Sequence, residues 1–293
     1  MVVKAILLGL ALALAQPASA QIRAADGLAA LDAGDAGAAR AIWAALAARG
    51  DVLAQHNLAV LKLTGQGGAQ DMDGALIWFE AAALQGHLPA QQVLAGLALE
   101  RGDHDVAQRW YLAAAEAGDG VAQLALAQLL ERGGQDPEGA LHWYGAAAEQ
   151  GLAAAQFALA AALAEQGDHA GAAGWFEAAA GQGDPRAMHN LAVALAQGLG
   201  LEQDETAARA LYLQAAQAGY APAMRNLALM QARGRGGAQS FRFALVWALA
   251  ATDLGEPGAD DLVAALREVM SAAAIAEAGA LAEDCLRGVA ECG

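Results

Sequence analysis

Aromatic residues and basic charge are both scarce in this chain. Phe, Trp and Tyr make up 5% of its 293 residues, and 16 Lys and Arg stand against 32 Asp and Glu, for a formal net charge of −16. Nucleic acids and anionic membranes are bound through basic faces, so this balance argues against both as partners. Proline is also rare, whereas 57% of the residues are hydrophobic, which excludes an intrinsically disordered chain.

Cysteine is limited to Cys285 and Cys292. Two cysteines without clustered histidines make a poor zinc site, and we predict neither a metal nor any other cofactor. A chain reversal at Gly288 would make a disulfide between the two cysteines feasible, and an oxidising compartment would support it. One or two free thiols are the alternative.

Long hydrophobic runs are missing beyond the first twenty residues. Lys4 precedes an apolar core of about ten residues, and Ala18, Ser19 and Ala20 form a small-x-small cleavage site, which is the pattern of a secretory signal peptide. We therefore expect residues 1–20 to be removed and the mature protein to be periplasmic or secreted. No later stretch reaches about eighteen uninterrupted apolar residues, so stable membrane insertion is not predicted.

Alanine and glycine are abundant, with 85 and 35 residues, and they recur in register. Seven glycines lie 32 to 36 residues apart: Gly50, Gly86, Gly118, Gly151, Gly183, Gly219 and Gly255. An alanine stands eleven residues before each of them, and the first six are followed by Ala at plus four and Leu at plus eight. Tryptophan recurs eight residues before the glycine, in a column that we predict to be mostly core: Trp78, Trp110, Trp143, Trp175 and Trp247. This periodicity indicates a repeat protein.

Each repeat is predicted to hold two helices. A helix-capping residue stands fifteen residues before each glycine: Asp35, Asp71, Asp103, Asp136, Asp168, Asp204 and Ser240. The glycine itself suits the left-handed position that ends a helix. Helix A therefore follows a glycine, helix B runs from the cap to the next glycine, and the length variation falls in the turn from A to B. The prolines beyond residue 20 are predicted in first turns of helices: Pro89, Pro137, Pro185, Pro222 and Pro257.

These columns resemble the Sel1-like repeat family, a branch of the tetratricopeptide-type helical repeats. The resemblance rests on WFEAAALQG at 78–86, AMHNLAVALAQGLGLEQD at 187–204 and AMRNLALMQARGRGG at 223–237, and it covers roughly residues 35–285. It implies an all-α fold, a right-handed α-solenoid of about seven helix-turn-helix repeats with a C-terminal capping helix. The solenoid is expected over 21–255, and capping helices with a cysteine-containing tail over 256–293.

The motifs of enzyme chemistry do not occur. The glycine-rich turns lack the Gly-Lys-Ser/Thr of a phosphate loop, the six histidines show no metal-ligand spacing, and there is no GxSxG elbow. We predict that the chain is not an enzyme and assign no catalytic residue.

The remaining candidate is a binding face on helix A. Because Ala at plus four and Leu at plus eight define the core direction, position plus six points almost opposite at about 100° per residue. This column varies while its neighbours repeat, and Asn follows three of its members. In the resembled family helix A lines the inner groove, which makes these residues candidates for a ligand groove: His56, Asn57, Gln92, Leu124, Phe157, His189, Asn190, Arg225 and Asn226. Leu124 and Phe157 are the most informative pair, since adjacent exposed apolar groups mark interaction sites; the alternative is that the column is solvated or lies between repeats.

The sequence thus predicts a non-enzymatic periplasmic repeat scaffold that binds a protein or peptide partner in a concave groove. The resemblance implies roles in regulating envelope signalling or assembly. The alternatives are a cell-wall or glycan-binding module, for which aromatic residues should line the groove, and, less favoured, a cell-wall hydrolase.

Overall fold

The computed structural model describes residues 23–134 and 136–286, and these residues form helices without any strand. The sixteen helices of the described residues are α1 (Ala24–Asp32), α2 (Ala36–Ala47), α3 (Val52–Thr64), α4 (Met72–Ala83), α5 (Leu88–Glu100), α6 (His104–Glu116), α7 (Gly120–Gly133), α8 (Pro137–Glu149), α9 (Ala153–Glu165), α10 (His169–Gly181), α11 (Pro185–Gln197), α12 (Glu205–Gln217), α13 (Ala221–Arg233), α14 (Phe241–Asp253), α15 (Ala259–Val269) and α16 (Ala272–Leu286). The predicted all-α solenoid of helix pairs is confirmed. Helix A of each repeat is an odd-numbered helix from α3 to α13, and helix B is the even-numbered helix that follows.

The chain divides into two compact units, Met1–Trp110 and Tyr111–Gly293. The first contains α1 to α5 and the beginning of α6, and the second contains the end of α6 and α7 to α16.

Alanine columns form the centre of both units. The alanines four residues after the first six repeat glycines are all 0% exposed: Ala54, Ala90, Ala122, Ala155, Ala187 and Ala223. The leucines at plus eight are also buried, at 8% exposure or less. The predicted core direction of helix A is therefore confirmed. Small side chains on facing helices let the backbones pack closely, which explains how a core with few aromatic residues is filled.

Local capping fixes where the helices begin and end. The predicted cap side chains accept hydrogen bonds from backbone N–H groups of the first turn at Asp35, Asp71, Asp136, Asp168, Asp204 and Ser240. The seven repeat glycines all have positive φ, from 73° to 92°, so their predicted left-handed conformation is confirmed. Pro257 was wrongly placed: Gly258 has φ of 76° and is the N-cap of α15, so Pro257 lies in the preceding turn rather than in the helix.

The long turns between helices A and B pack on the preceding helix B. Gly67, Gly200 and Gly236 have positive φ, and a Cβ atom at any of them would collide with backbone in the first turn of α2, α10 or α12 respectively. The Gly-x-Gly turns are therefore contact points between repeats, and only glycine fits at the second position.

The aromatic core lies one residue later than predicted. Most side chains of the tryptophan column are half-buried, namely those of Trp78, Trp110, Trp143 and Trp175, whereas Trp247 is buried. The buried side chains of the next column are Trp43, Phe79, Tyr144, Phe176 and Tyr212. The prediction of a mostly buried tryptophan column is wrong because these rings lie at the boundary between successive core clusters: Trp78 and Trp175 each pack against two of them.

A glutamine network that the sequence analysis did not identify joins neighbouring repeats. Four buried glutamines, at plus five from the repeat glycine, each donate from Nε2 to an alanine carbonyl at the end of the preceding helix B: Gln55, Gln91, Gln123 and Gln156. Three of them also accept a hydrogen bond from the glutamine that precedes the next repeat glycine, over 2.7–2.8 Å: Gln85 to Gln55, Gln150 to Gln123, and Gln182 to Gln156. The same four alanine carbonyls accept the N–H of the repeat glycine. The glutamine amide is therefore a second donor to a carbonyl that has no partner within its helix.

The last two helices cover the end of the second unit. The Ser271 hydroxyl accepts a hydrogen bond from the N–H of Ala274 at the start of α16, and the buried face of α16 packs on α14 in one core cluster. Cys285 on α16 is buried and disulfide-bonded, but Cys292 lies outside the described residues, so the pairing of these two cysteines stays a prediction. The predicted signal peptide likewise lies outside the described residues. None of the described helices is long and apolar enough to cross a lipid bilayer.

Candidate functional site

The plus-six column of helix A lies between successive repeats and is half-buried throughout. In the first unit, the His56 ring makes edge contacts with Phe79 at 5.5 Å and with His87 at 4.8 Å. Its Nδ1 atom is buried and has no hydrogen-bond partner. Burial, and secondly the neighbouring His87, lower the pKa of His56. Asn57 and Gln92 are half-buried on the same helix faces.

Phe157 in the second unit is covered by a charged side chain. Its ring lies 6.0 Å from that of Phe176, and the Arg186 guanidinium stacks over it at 4.2 Å. Asp184 holds this guanidinium through hydrogen bonds of 2.6 and 3.1 Å. Leu124, one repeat earlier, is half-buried against the core cluster of its own repeat.

His189 and Arg225 complete the column in the second unit. The His189 ring lies between Tyr212 and Tyr220, with centroid distances of 5.4 and 5.3 Å, and its Nδ1 is buried without a partner. Burial lowers the pKa of His189 to about 4, so the imidazole is neutral at pH 7. The Nε atom of Arg225 is also buried without a partner. These contacts favour the inter-repeat alternative for plus six, and a ligand role for the column stays a prediction.

The accessible part of helix A forms three equivalent clefts in the second unit, which the sequence analysis did not predict. The first cleft, of about 330 Å³, is lined by α7, α8 and α9 and includes Leu130, Glu131, Tyr144, Ala162 and Glu165. The second, of about 280 Å³, lies between α9 and α11 over α10, and its lining includes Glu165, Phe176, Asn190, Val193 and Leu199. The third, of about 150 Å³, lies between α11 and α13 over α12, with Val193, Gln197, Tyr212, Asn226, Arg233 and Arg235 in its lining. Each cleft is lined by the buried aromatic residue that lies seven residues before a repeat glycine on helix B, which is Tyr144, Phe176 or Tyr212.

The clefts include two of the predicted groove residues. Asn190 lines the second cleft and Asn226 the third, both at plus seven from a repeat glycine. Neither Leu124 nor Phe157 lines any of these three clefts. The lining at plus ten to plus fourteen was missed because only its variation between repeats signals it, as in Gln128, Ala161, Val193 and Leu229 at plus ten.

The clefts differ in polar character. In the first, the Tyr144 hydroxyl donates to Glu131 over 2.8 Å, and burial together with this hydrogen bond raises the pKa of Tyr144. In the third, Asn226 Nδ2 donates to the Tyr212 hydroxyl over 3.4 Å, and Arg235 forms an ion pair of 2.7 Å with Glu205. Burial raises the pKa of Tyr212 to about 12. Within the described residues no group of three or more His, Cys, Asp or Glu is arranged to hold a metal ion.

The helices occur in pairs, each helix B ends at a glycine, and clefts lie between successive A helices. These features define a helix-pair repeat protein. A family model, the Sel1 repeat, matches residues 52–87, 93–119, 120–152, 185–220 and 221–256, which together exceed half of the chain. The chain belongs to the Sel1 repeat family, as its sequence columns predicted.

Two solved structures are similar to this chain. One is c5321, a protective antigen present in uropathogenic Escherichia coli strains that displays an SLR fold: it is 29% identical with a TM-score of 0.70, and the match covers 86% of this chain and 57% of that one. The other is a Sel1 repeat protein from Oxalobacter formigenes, 32% identical with a TM-score of 0.61, which covers 79% of this chain and 70% of that one. This chain therefore spans less than two thirds of the length of the E. coli antigen. No curated protein matches it.

Proposed function

We propose that this protein is a non-enzymatic scaffold of the periplasm that binds an extended segment of a partner protein along the helix-A face of its second unit. The observation that carries the proposal is the recurrence of a cleft in three successive repeats, each lined by an aromatic residue at the same position of helix B. Repeat proteins of this class bind protein partners, and membership of the Sel1 family supports the same class of function.

An extended peptide suits a row of this kind. Successive clefts share a lining residue, Glu165 between the first and second and Val193 between the second and third. One extended chain, which rises about 3.3 Å per residue, can therefore pass from one cleft to the next. Asn190 and Asn226 at the cleft walls carry amide groups that can both donate to and accept from a peptide backbone. The apolar lining of the second cleft would hold an aliphatic or aromatic side chain.

The periplasmic assignment rests on the signal-peptide pattern of residues 1–20. A role in regulating envelope signalling or assembly is part of the proposal, and it comes from the family resemblance.

A site-specific photocrosslinker tests the proposal. Val193 lines both the second and the third cleft, so a benzophenone amino acid placed there would contact any bound segment. The matched control places the same probe at Gln214, which is exposed on the neighbouring helix B. We expect a discrete protein crosslinked from envelope extract at position 193 and not at position 214.

Three other results would contradict the proposal. Glycan captured at position 193 in place of protein would favour a glycan-binding module. Identical products from both positions, or none from a folded protein, would exclude the cleft row as the partner site.

A further inference from the structure

The third cleft is basic in an otherwise acidic protein. Between the start of α11 and the end of the turn after α13, residues 185–239, there are five basic and three acidic residues, whereas the whole chain has 16 basic and 32 acidic ones. Two of these five, Arg233 and Arg235, line the third cleft together with the amides of Gln197 and Asn226. The local charge is therefore opposite in sign to that of the chain.

The two arginines of this cleft differ in their ion pairs. Arg235 bonds Glu205 through Nε at 2.8 Å and Nη2 at 2.7 Å, and it also donates to the carbonyl of Ala196 over 3.1 Å. Arg233, at the end of α13, is exposed and forms no ion pair with the described residues. The cleft thus contains one guanidinium that already binds a carboxylate and a second that is available.

Other donors converge on the same space. The Tyr212 hydroxyl accepts from Asn226, which leaves the hydroxyl proton free to donate. The first cleft has the opposite character, because Glu131 and Glu165 line it. A ligand lying across the row would therefore meet carboxylates at one end and guanidinium groups at the other.

We propose that the third cleft binds a carboxylate side chain of the partner, so that the segment recognised by this protein carries an acidic residue beside the apolar residue held in the second cleft. Arg233 provides the charge-assisted hydrogen bonds, since a guanidinium matches a carboxylate in planar geometry. Arg235 and Asn226 form the wall of the cleft. This inference rests on the proposed function for the nature of the ligand, and on the cleft itself for its charge.

The test measures the anisotropy of fluorescein-labelled hexaglutamate at low ionic strength, with hexaglutamine as the uncharged probe of the same size. We expect hexaglutamate to bind at least about tenfold more tightly than hexaglutamine, the value of one charged hydrogen bond. Arg233→Gln should remove about this factor. Arg132→Gln is the matched control: Arg132 is exposed at the equivalent position of α7, lines none of the three clefts and should leave binding unchanged.

A second variant removes the Glu205 carboxylate, which competes with a bound carboxylate for Arg235. Glu205→Gln weakens the ion pair with Arg235 and should tighten hexaglutamate binding. Thermal melting of each variant establishes that it is folded, which is expected of Arg233→Gln because the side chain is exposed.

Three results would overturn the inference. The first is equal binding of the two peptides, or no binding of either. The second is a loss of hexaglutamate affinity in Arg132→Gln as large as that in Arg233→Gln. The third is Arg233-dependent binding of oligogalacturonate without binding of hexaglutamate, which would assign the cleft to an anionic glycan. If a protein is crosslinked at position 193 but hexaglutamate does not bind, the proposed function stands. Only the inference that the partner segment carries an acidic residue is then wrong.

Discussion

At the scale of single residues, the plus-six column shows how a variable position can be structural. Three of its members, His56, Phe157 and His189, contact both the aromatic residue of the following helix B and a residue at the beginning of the next helix A. The residues that the plus-six side chain contacts differ from one repeat to the next. The plus-six residue can therefore vary between repeats without binding a ligand. Its variation therefore does not by itself identify a groove, whereas Asn190 and Asn226 at plus seven do line clefts.

Phe157 is the residue where this distinction can be measured. Because its ring packs on Phe176 beneath the Arg186 guanidinium, Phe157→Ala should lower the free energy of unfolding by about 2 kcal/mol. Val121→Ala, at a side chain that is 62% exposed on α7, should change it by less than about 0.5 kcal/mol. Urea unfolding followed by circular dichroism compares the two, and equal midpoints would mean that Phe157 is a free surface residue.

His189 gives a pH-dependent stability at the same scale. Burial lowers its pKa from 6.5 to about 4, so the folded state binds the proton less readily than the unfolded chain. The stabilisation from the neutral ring is complete above about pH 6.5 and is lost as the pH falls towards 4, by about 2 kcal/mol after allowance for partial exposure.

The measurement is the melting temperature between pH 7 and pH 4. His189→Gln should show a shallower decline than the parent protein, and His142→Gln, at an exposed histidine, should follow the parent. Parallel curves for His189→Gln and the parent would show that this ring does not link folding to protons.

At the scale of elements, the turn between helices A and B is where repeats differ in length and where they touch. Gly236 has φ of 66°, and a Cβ there would collide with the Glu205 carbonyl at the start of α12. Gly236→Ala should therefore destabilise the protein by at least about 2 kcal/mol, through both backbone strain and the clash.

Gly145 in the middle of α8 provides the opposite case. A Cβ at this position would meet no neighbouring atom, so Gly145→Ala should stabilise by about 0.5–1 kcal/mol through helix propensity. Chemical unfolding of both variants checks the pair, and a neutral Gly236→Ala would mean that the turn can move away from α12.

How well a structural feature could be predicted from the sequence depends on how many repeats take part in it. Caps and helix-ending glycines were predictable because each is decided within one turn of chain, as at Asp136 and Gly151. The Gln156 network and the clefts were not, because they involve two or three repeats at once and depend on how far apart their helices pack. The glutamine column was nonetheless visible at plus five, where Gln recurs in the first four repeats.

At the scale of the whole molecule, the shortage of aromatic residues and the abundance of alanine fit a solenoid core, since each repeat buries small side chains against its neighbours and needs no large central core. The surface is then left to carry the negative charge, and the basic residues of 185–239 are an exception within it. A surface with this charge repels anionic surfaces such as nucleic acids and acidic membranes.

The proposed export rests on the signal-peptide pattern of the first twenty residues, and the predicted cleavage site can be tested directly. Signal peptidases require small residues at the cleavage position, so the exported protein should have a mass that corresponds to a chain beginning at Gln21. Ala20→Leu should leave the uncleaved precursor with the membrane fraction. Ala13→Leu, a matched change inside the apolar core, should leave cleavage intact. Intact-mass measurement of periplasmic and membrane fractions separates these outcomes, and a full-length protein that stays in the cytoplasm would contradict both the signal peptide and the proposed site of action.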